Sequence, residues 1–250
     1  MINKEYVDIS VIEQFSYCPK QAENTLNLLQ IPKKEMEQGN VFHKATEIIR
    51  NAIKKDKNKH SNNHRFIRDL IEKQKELINP IKLTDVYVKS EKLKIAGYCD
   101  EVIIYPDKIK IIDYKTKRKF NEEIFSYSYL LQIRCYGLAF KEFYNITCPI
   151  ILIIQPILCS FAPECQWMSE DEIKQEEGNW NQQGEMLFSY FTAKKTKPQE
   201  YELKYNEETK DILEIVMKIN NQDFKHENNV NKCNSCQFKE ICEDSLKSYK

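Results

Sequence analysis

Two neighbouring β-type segments separated by a short turn constrain the fold of this chain most strongly. Residues 93–105 and 108–114 are rich in β-branched and apolar side chains, and Tyr105-Pro106-Asp107-Lys108 has the composition of a tight turn. Another alternating run precedes them at residues 85–90. We therefore predict three consecutive strands, of which the last two form an antiparallel hairpin.

Segments with helical spacing of apolar side chains surround these strands. They are residues 8–17, 35–55, 65–77, 122–144, 169–194 and 206–221. The Ile-rich run at residues 149–158 predicts one more, buried strand. The order helix, strands, helix, strand indicates a mixed central β-sheet flanked by helices, an α/β (α+β) core.

Composition restricts the function classes. The 250 residues are 41% hydrophobic, enough for the core of one domain, and the formal net charge is zero. A nucleic-acid partner would therefore need a local basic patch. A run of about 18 apolar residues is absent from the sequence and the N-terminus lacks a signal-peptide core, so we expect a cytoplasmic protein with no membrane association.

We expect residues 1–250 to form one domain. Within it, residues 30–160 would make the core that carries the chemistry, and residues 160–230 would make a helical lobe. We see no internal repeat that would point to a solenoid or an array.

The predicted hairpin carries two acids and a lysine. Asp113 and Lys115 are two residues apart on a strand and so share one face. If the loop is centred between Pro106 and Asp107, Asp100 is the cross-strand neighbour of Asp113, with Cβ atoms roughly 5 Å apart. Two carboxylates that close repel each other unless a cation neutralises them.

This grouping suits hydrolysis of phosphodiester bonds. Hard carboxylate oxygens favour Mg²⁺ or Mn²⁺, and Lys115 could steady a phosphate or an attacking water. The alternative is an exposed strand end that carries solvated charges. A bulge in the hairpin would break the register on which the metal site depends.

Three further polar residues are candidates for the same site. In Gly39-x-x-x-His43, glycine precedes histidine by one helical turn, and the imidazole could bind the metal. Gln132 and Tyr136 share a helix face directly after the hairpin; the amide could touch a phosphate or a water, and the ring could stack on a base. Each is equally compatible with an ordinary amphipathic helix. A basic run surrounds the acids and could form the required patch: Lys108, Lys110, Lys115, Lys117, Arg118 and Lys119.

Cysteine spacing indicates a second metal site. Cys233, Cys236 and Cys242 form a C-x2-C-x5-C motif, and Cys18 before Pro19 is the candidate fourth ligand. Such a site would join the two ends of the chain. Spacing leaves zinc and a 4Fe–4S cluster as alternatives. We expect the other cysteines to be ordinary small residues: Cys99, Cys135, Cys148, Cys159 and Cys165.

Together these motifs resemble the RecB-type branch of the PD-(D/E)XK nucleases, most of all the iron–sulfur exonucleases associated with CRISPR adaptation and the nuclease domain of AddB-type helicase–nucleases. The resemblance extends from Cys18 to Cys242, without a match for residues 160–230. It implies a restriction-endonuclease-like fold, a DNA substrate and a 4Fe–4S cluster rather than zinc.

The resemblance also implies residue roles. His43, Asp100, Asp113 and the main-chain carbonyl of Tyr114 would bind Mg²⁺ or Mn²⁺. Lys115 would assist the attacking water, and Gln132-x-x-x-Tyr136 would lie near DNA. The four motif cysteines would hold the cluster, with residues 231–244 as its C-terminal part.

The implied activity is exonuclease digestion of single-stranded DNA ends that leaves 5′-phosphate and 3′-hydroxyl products. Two alternatives belong to other classes. One is an adaptor that holds DNA ends for an integrase or recombinase, and the other is a zinc-bound structural protein.

Overall fold

The computed structural model describes residues 5–27, 63–117, 127–161, 185–187, 191–203 and 209–225, together with Cys233, Cys236 and Cys242. The helix predicted over residues 35–55, with Gly39 and His43, lies outside this described part, as does Cys165.

A mixed β-sheet forms the centre of the described chain, which confirms the predicted fold class. Its strands are β1 (Val7–Asp8), β2 (Ile81–Ser90), β3 (Ile95–Ile104), β4 (Ile109–Lys117), β5 (Ile150–Phe161), β6 (Glu185–Leu187), β7 (Phe191–Lys195) and β8 (Gln199–Glu202). They run in the order β1-β3-β4-β5-β7-β6, with β2 beside β3 and β8 beside β5. The β1–β3 and β4–β5 pairs are parallel, whereas the other pairs are antiparallel.

Five α-helices accompany the sheet in the described ranges. They are α1 (Ile9–Tyr17), α2 (Pro19–Leu26), α3 (His64–Glu72), α4 (Tyr127–Phe143) and α5 (Thr209–Asn220). A single 3₁₀ turn, Gln74–Glu76, follows α3. No helix in these ranges is long and apolar enough to cross a membrane.

Local chemistry explains where α1 begins and ends. Asp8 caps its N-terminus by accepting a hydrogen bond of 2.8 Å from the backbone N–H of Ser10. Cys18 adopts an extended conformation at its C-terminus, and Pro19 then occupies the first turn of α2, where a missing N–H costs nothing. The two helices therefore meet at Cys18.

The core lies between the sheet and helices α1 and α4. Nearly every side chain in the middle of α4 is buried, because the helix contacts both the sheet and α1. Ile9 and Ile12 of α1 are fully buried in the same cluster. Burial of this apolar surface holds both helices against the hairpin strands.

In β2 and β3, buried and less buried side chains alternate along the strand, and this alternation is interrupted at one position in each strand. Along β2, Leu83 and Val86 are both buried, three residues apart; along β3, Cys99 and Val102 repeat this spacing. Strict alternation would bury every second residue. Asp85, with a φ of 53°, lies at the interruption in β2. The pairing register between β2 and β3 is the same before and after this interruption. The alternation is therefore interrupted in both strands at the same level, which in β3 is Asp100.

The helix predicted near residues 169–194 is wrong over its described part. Residues 185–187 and 191–195 are the strands β6 and β7, and β8 follows. The reason lies in the length of β5. One edge of this strand pairs with β4, and its other edge has room for both β7 and β8. Pairing with a distant strand decides the conformation of such short segments. In this region α5 confirms the helix predicted over residues 206–221.

Candidate active site

The observed pairing of β3 with β4 confirms the predicted hairpin register. The predicted proximity of Asp100 and Asp113 depends on this register. β3 and β4 pair without a bulge from Ile104↔Ile109 to Glu101↔Ile112. The backbone N–H of Tyr105 donates to the carbonyl of Lys108 over 2.9 Å and closes the predicted turn. Continuing this register by one residue places Asp100 opposite Asp113.

Asp100 lies where the two strands begin to separate. The paired residues end at Glu101↔Ile112, and beyond them the Oδ2 atom of Asp100 accepts a hydrogen bond of 2.9 Å from the backbone N–H of Tyr114. The carboxylate thus takes the place of a main-chain carbonyl as acceptor for this N–H. As a result, a side-chain carboxylate is held beside Asp113 at the end of the paired region.

The charges of Asp100 and Asp113 affect the pKa values of the same two buried side chains. Burial raises the pKa of Cys99 and of Tyr136, and the negative charges of Asp100 and Asp113 raise both further. The two carboxylates therefore share one low-dielectric space, in which the side chain of Asp113 is itself buried.

Lys115 places a largely buried ammonium beside the two acids. Its Nζ atom lies 3.0 Å from Oδ2 of Asp113 and 3.4 Å from Oε2 of Glu13, and it donates to Oε1 of Gln132. Burial by itself would lower the pKa of Lys115, but the carboxylates of Asp113, Glu13 and Asp100 raise it well above its usual value. These carboxylates favour the protonated ammonium, which donates hydrogen bonds to its neighbours.

Comparison with known proteins identifies the family of the chain. The sequence model of the PD-(D/E)XK nuclease superfamily matches residues 9–243, nearly the whole chain. The chain belongs to this superfamily. It is also similar to a solved structure described as "Crystal structure of SSO0001", with 13% identity and a TM-score of 0.44, over 99% of this chain and 90% of that one. A search of curated proteins finds no match.

The PD-(D/E)XK strand is anchored from its other side by Tyr114. The hydroxyl of Tyr114 donates to Oε2 of Glu101 over 3.1 Å, and Lys82 pairs with the same oxygen at 2.9 Å. Burial and the Glu101 charge raise the pKa of Tyr114, so its hydroxyl stays protonated and remains a donor. Since Asp100 accepts from its N–H, Tyr114 is held both at its side chain and at its backbone.

Gln132 and Tyr136 reach the PD-(D/E)XK site from α4, but in different ways. Gln132 is buried and touches Lys115 directly. Tyr136 is 7% exposed and belongs to the core, where its pKa responds to both acids. Such burial favours a packing and electrostatic role for Tyr136 rather than stacking on a base.

Gly97 makes the position of Tyr136 possible. A Cβ atom at Gly97 would lie 3.1 Å from Cε1 of Tyr136 and 3.3 Å from Cβ of Ile9. Both distances are tighter than ordinary carbon contacts. The glycine in the Gly97-Tyr98-Cys99-Asp100 motif therefore lets α1 and α4 pack closely on β3 beside the acid.

Two residues of the site were missed by sequence reasoning. Glu13 lies 3.4 Å from Lys115, and the ring centroid of Tyr129 lies 4.7 Å from the same Nζ. The available signal was that Glu13 is the one charged side chain in α1. Nothing in the sequence pairs it with a residue more than one hundred positions away.

The predicted basic patch does not assemble in the described part of the chain. Lys110 is the second residue of β4 and pairs with Glu200 at 3.7 Å, whereas Lys115 is five residues further, roughly 16 Å along the strand. Lys108 is in the turn and pairs with Asp107 at 3.3 Å. Of the six basic residues predicted to form the patch, Lys115 is the only one that lies at the acids among the described side chains. The side chains of Lys117, Arg118 and Lys119 are outside the described part of the chain.

Three of the motif cysteines interact electrostatically with one tyrosine. Burial raises the pKa of Tyr17, and the interactions with Cys236, Cys18 and Cys233 raise it further. Cys18 and Cys233 are buried, and the N–H of Cys236 donates to the carbonyl of Cys233 over 3.1 Å. Cys99, Cys135 and Cys159 are buried among apolar side chains, as expected, whereas Cys148 is half-buried.

The donor chemistry of the acid pair fits a hard divalent cation. Carboxylates that converge on one buried space, next to a strand end, are the ligands that Mg²⁺ and Mn²⁺ prefer. No group of three or more His, Cys, Asp or Glu side chains in the described ranges is arranged to hold a metal ion. His43, the third candidate ligand, lies outside those ranges.

Proposed function

We propose that this protein is a Mg²⁺- or Mn²⁺-dependent deoxyribonuclease that digests single-stranded DNA from its ends. The observation that supports the proposal most is the hairpin register, which brings Asp100 to Asp113 with Lys115 ion-paired beside them. Membership of a nuclease superfamily over residues 9–243 agrees with it.

Each residue has a distinct part in the proposed reaction. Asp100 and Asp113 would hold the cation, with His43 and the carbonyl of Tyr114 as further ligands. When bound, a divalent cation offsets the charge that develops on the phosphate. Lys115 is held as an ammonium by the surrounding carboxylates, so it donates hydrogen bonds to a phosphate oxygen or to the attacking water. Gln132 positions that ammonium, since it accepts a hydrogen bond from it.

Aromatic side chains favour a single-stranded substrate. Tyr127, at the start of α4, is 51% exposed, and Tyr129 one half-turn later lies against Lys115. Tyr127 offers the exposed ring and the partly buried Tyr129 lies beside the cation, and aromatic rings together with positive charge are a common combination for binding unpaired bases. The zero net charge agrees with a narrow binding path rather than a broad basic face.

End-labelled single-stranded DNA tests the proposal. The purified protein should shorten the strand stepwise with Mn²⁺ and leave it intact with a chelator. Asp113→Asn should lose nearly all activity, because the cation loses a charged ligand. Asp107→Asn, in the exposed turn of the same hairpin, is the matched control and should cleave at the wild-type rate. No cleavage by the wild-type protein, or equal cleavage by Asp113→Asn, would overturn the assignment.

We also propose that Cys18, Cys233, Cys236 and Cys242 hold a 4Fe–4S cluster, as in the RecB-type enzymes that the motifs resemble. The C-x2-C-x5-C spacing, with Cys18 as the fourth ligand, supports the proposal, although no three of these cysteines are arranged to hold a metal ion among the described residues. Anaerobically purified protein should be brown and contain iron, and Cys236→Ser should lose both. Cys148→Ser, whose thiol contacts Gln74 instead, should keep them. Colourless protein with stoichiometric zinc would refute the cluster.

From the same resemblance we propose a role in CRISPR adaptation or DNA recombination, with an integrase or recombinase as the partner. Purification of the tagged protein from its host should then recover such a partner. An integrase that stays bound to Asp113→Asn protein would show that the association is independent of cleavage.

A further inference from the structure

We propose that Glu13 is a positioning residue that holds the catalytic ammonium of Lys115 in place when the cation occupies Asp113. The proposal rests on the nuclease function proposed above. It adds a residue from α1 that is outside the two-acid, one-lysine motif of the hairpin.

The contacts of Lys115 lead to this role. An ammonium has three N–H donors, and three acceptors surround this one: Asp113 at 3.0 Å, Glu13 at 3.4 Å and the amide oxygen of Gln132. The side chain of Lys115 is 14% exposed, so water replaces a lost acceptor poorly.

A bound cation changes the balance among these acceptors. Its attraction to the oxygens of Asp113 competes with Lys115, and the two positive charges repel each other. Glu13 is then the remaining carboxylate partner of the ammonium. Without Glu13, Lys115 would depend on Asp113 and Gln132, and it would oppose entry of the cation.

The fold keeps Glu13 in position for this task. Asp8 caps α1. Ile9 and Ile12, which precede Glu13 in the same helix, are fully buried in the core. Glu13 therefore extends from a helix that is fixed against the sheet, and Tyr129 covers the same ammonium.

Cation binding in the absence of DNA separates this role from direct ligation. Calorimetric titration with Mn²⁺ should show about tenfold weaker binding by Glu13→Ala, the order of effect of one charge-assisted hydrogen bond. Adding Lys115→Met should remove the defect, so that Glu13→Ala/Lys115→Met binds Mn²⁺ as tightly as Lys115→Met alone. If the double variant instead binds less tightly than Lys115→Met, Glu13 acts on the cation itself and the proposal is wrong.

Cleavage kinetics provide the second readout. Glu13→Ala should lower kcat at saturating Mn²⁺ about tenfold or more with little change in the KM for DNA, and Glu13→Gln should recover part of kcat because its amide oxygen still accepts from Lys115. Glu214→Gln removes an exposed, ion-paired glutamate from α5 and should match the wild type. Wild-type kcat in Glu13→Ala would overturn this inference and leave the nuclease assignment standing, whereas a wild-type protein that does not cleave DNA overturns both.

Discussion

Tyr114→Phe removes one buried hydroxyl from β4, and its cost in stability follows from the structure. That hydroxyl donates to Glu101 over 3.1 Å, and the two residues are 5% and 3% exposed. A hydrogen bond to a buried charge contributes about 1.5–3 kcal/mol. Lys82 still pairs with Glu101 at 2.9 Å in the variant, so we expect a loss near the lower limit, about 1.5 kcal/mol.

Thermal unfolding measures this loss. In a chain of this size, 1.5 kcal/mol corresponds to a Tm lower by roughly 3–6 °C. Tyr98→Phe, on the same strand as Glu101 but 57% exposed, is the matched control and should shift Tm by less than about 1–2 °C. A raised pKa keeps the Tyr114 hydroxyl protonated, so the difference between wild type and variant should be the same from neutral to mildly alkaline pH.

A double-mutant cycle identifies the partner. Glu101→Gln should destabilise the wild type more than it destabilises the Tyr114→Phe background, because the bond is already absent there. Additive effects of the two substitutions, or a Tyr114→Phe protein that melts with the wild type, would refute the reasoning.

Three further predictions concern the elements around the site. Gly97→Ala should destabilise the protein by about 1–3 kcal/mol in urea unfolding, because its methyl would press on the ring of Tyr136; an unchanged unfolding midpoint would contradict this. Burial and the charge of Arg68 lower the pKa of His64, so the folded protein binds this proton less tightly than the unfolded chain. Stability should therefore fall as the pH drops below the usual value of 6.5, and His64→Gln should show a smaller fall in Tm between neutral and mildly acidic pH. Asp8→Ala should cost about 1 kcal/mol by uncapping α1, whereas Asp8→Asn should retain most of the stability.

The hairpin could be predicted from the sequence because all its determinants are local. Alternating apolar residues define the two strands, and the turn between them fixes their pairing. Once that register is set, Asp100 and Asp113 must be neighbours whatever the rest of the chain does. The helices α1 and α4 were predictable for the same reason, since their apolar spacing is regular.

The conformation of residues 185–202 could not be predicted in this way. These short segments become strands because β5 is long enough to pair with two of them along its free edge. Their own sequence shows no clear period, so the partner strand decides. The interrupted alternation at Asp85 and Asp100 is equally invisible, since it involves two strands at once.

The sequence by itself therefore determined the sheet-and-helix class, the hairpin and the two facing aspartates, since these depend on periodicity and on a turn of four residues. Only the tertiary structure decided which side chains meet Lys115: Glu13 from α1, Gln132 from α4 and Tyr129 beside them. These contacts join residues far apart in the chain, and they exist because burial of apolar surface packs both helices against one end of the hairpin.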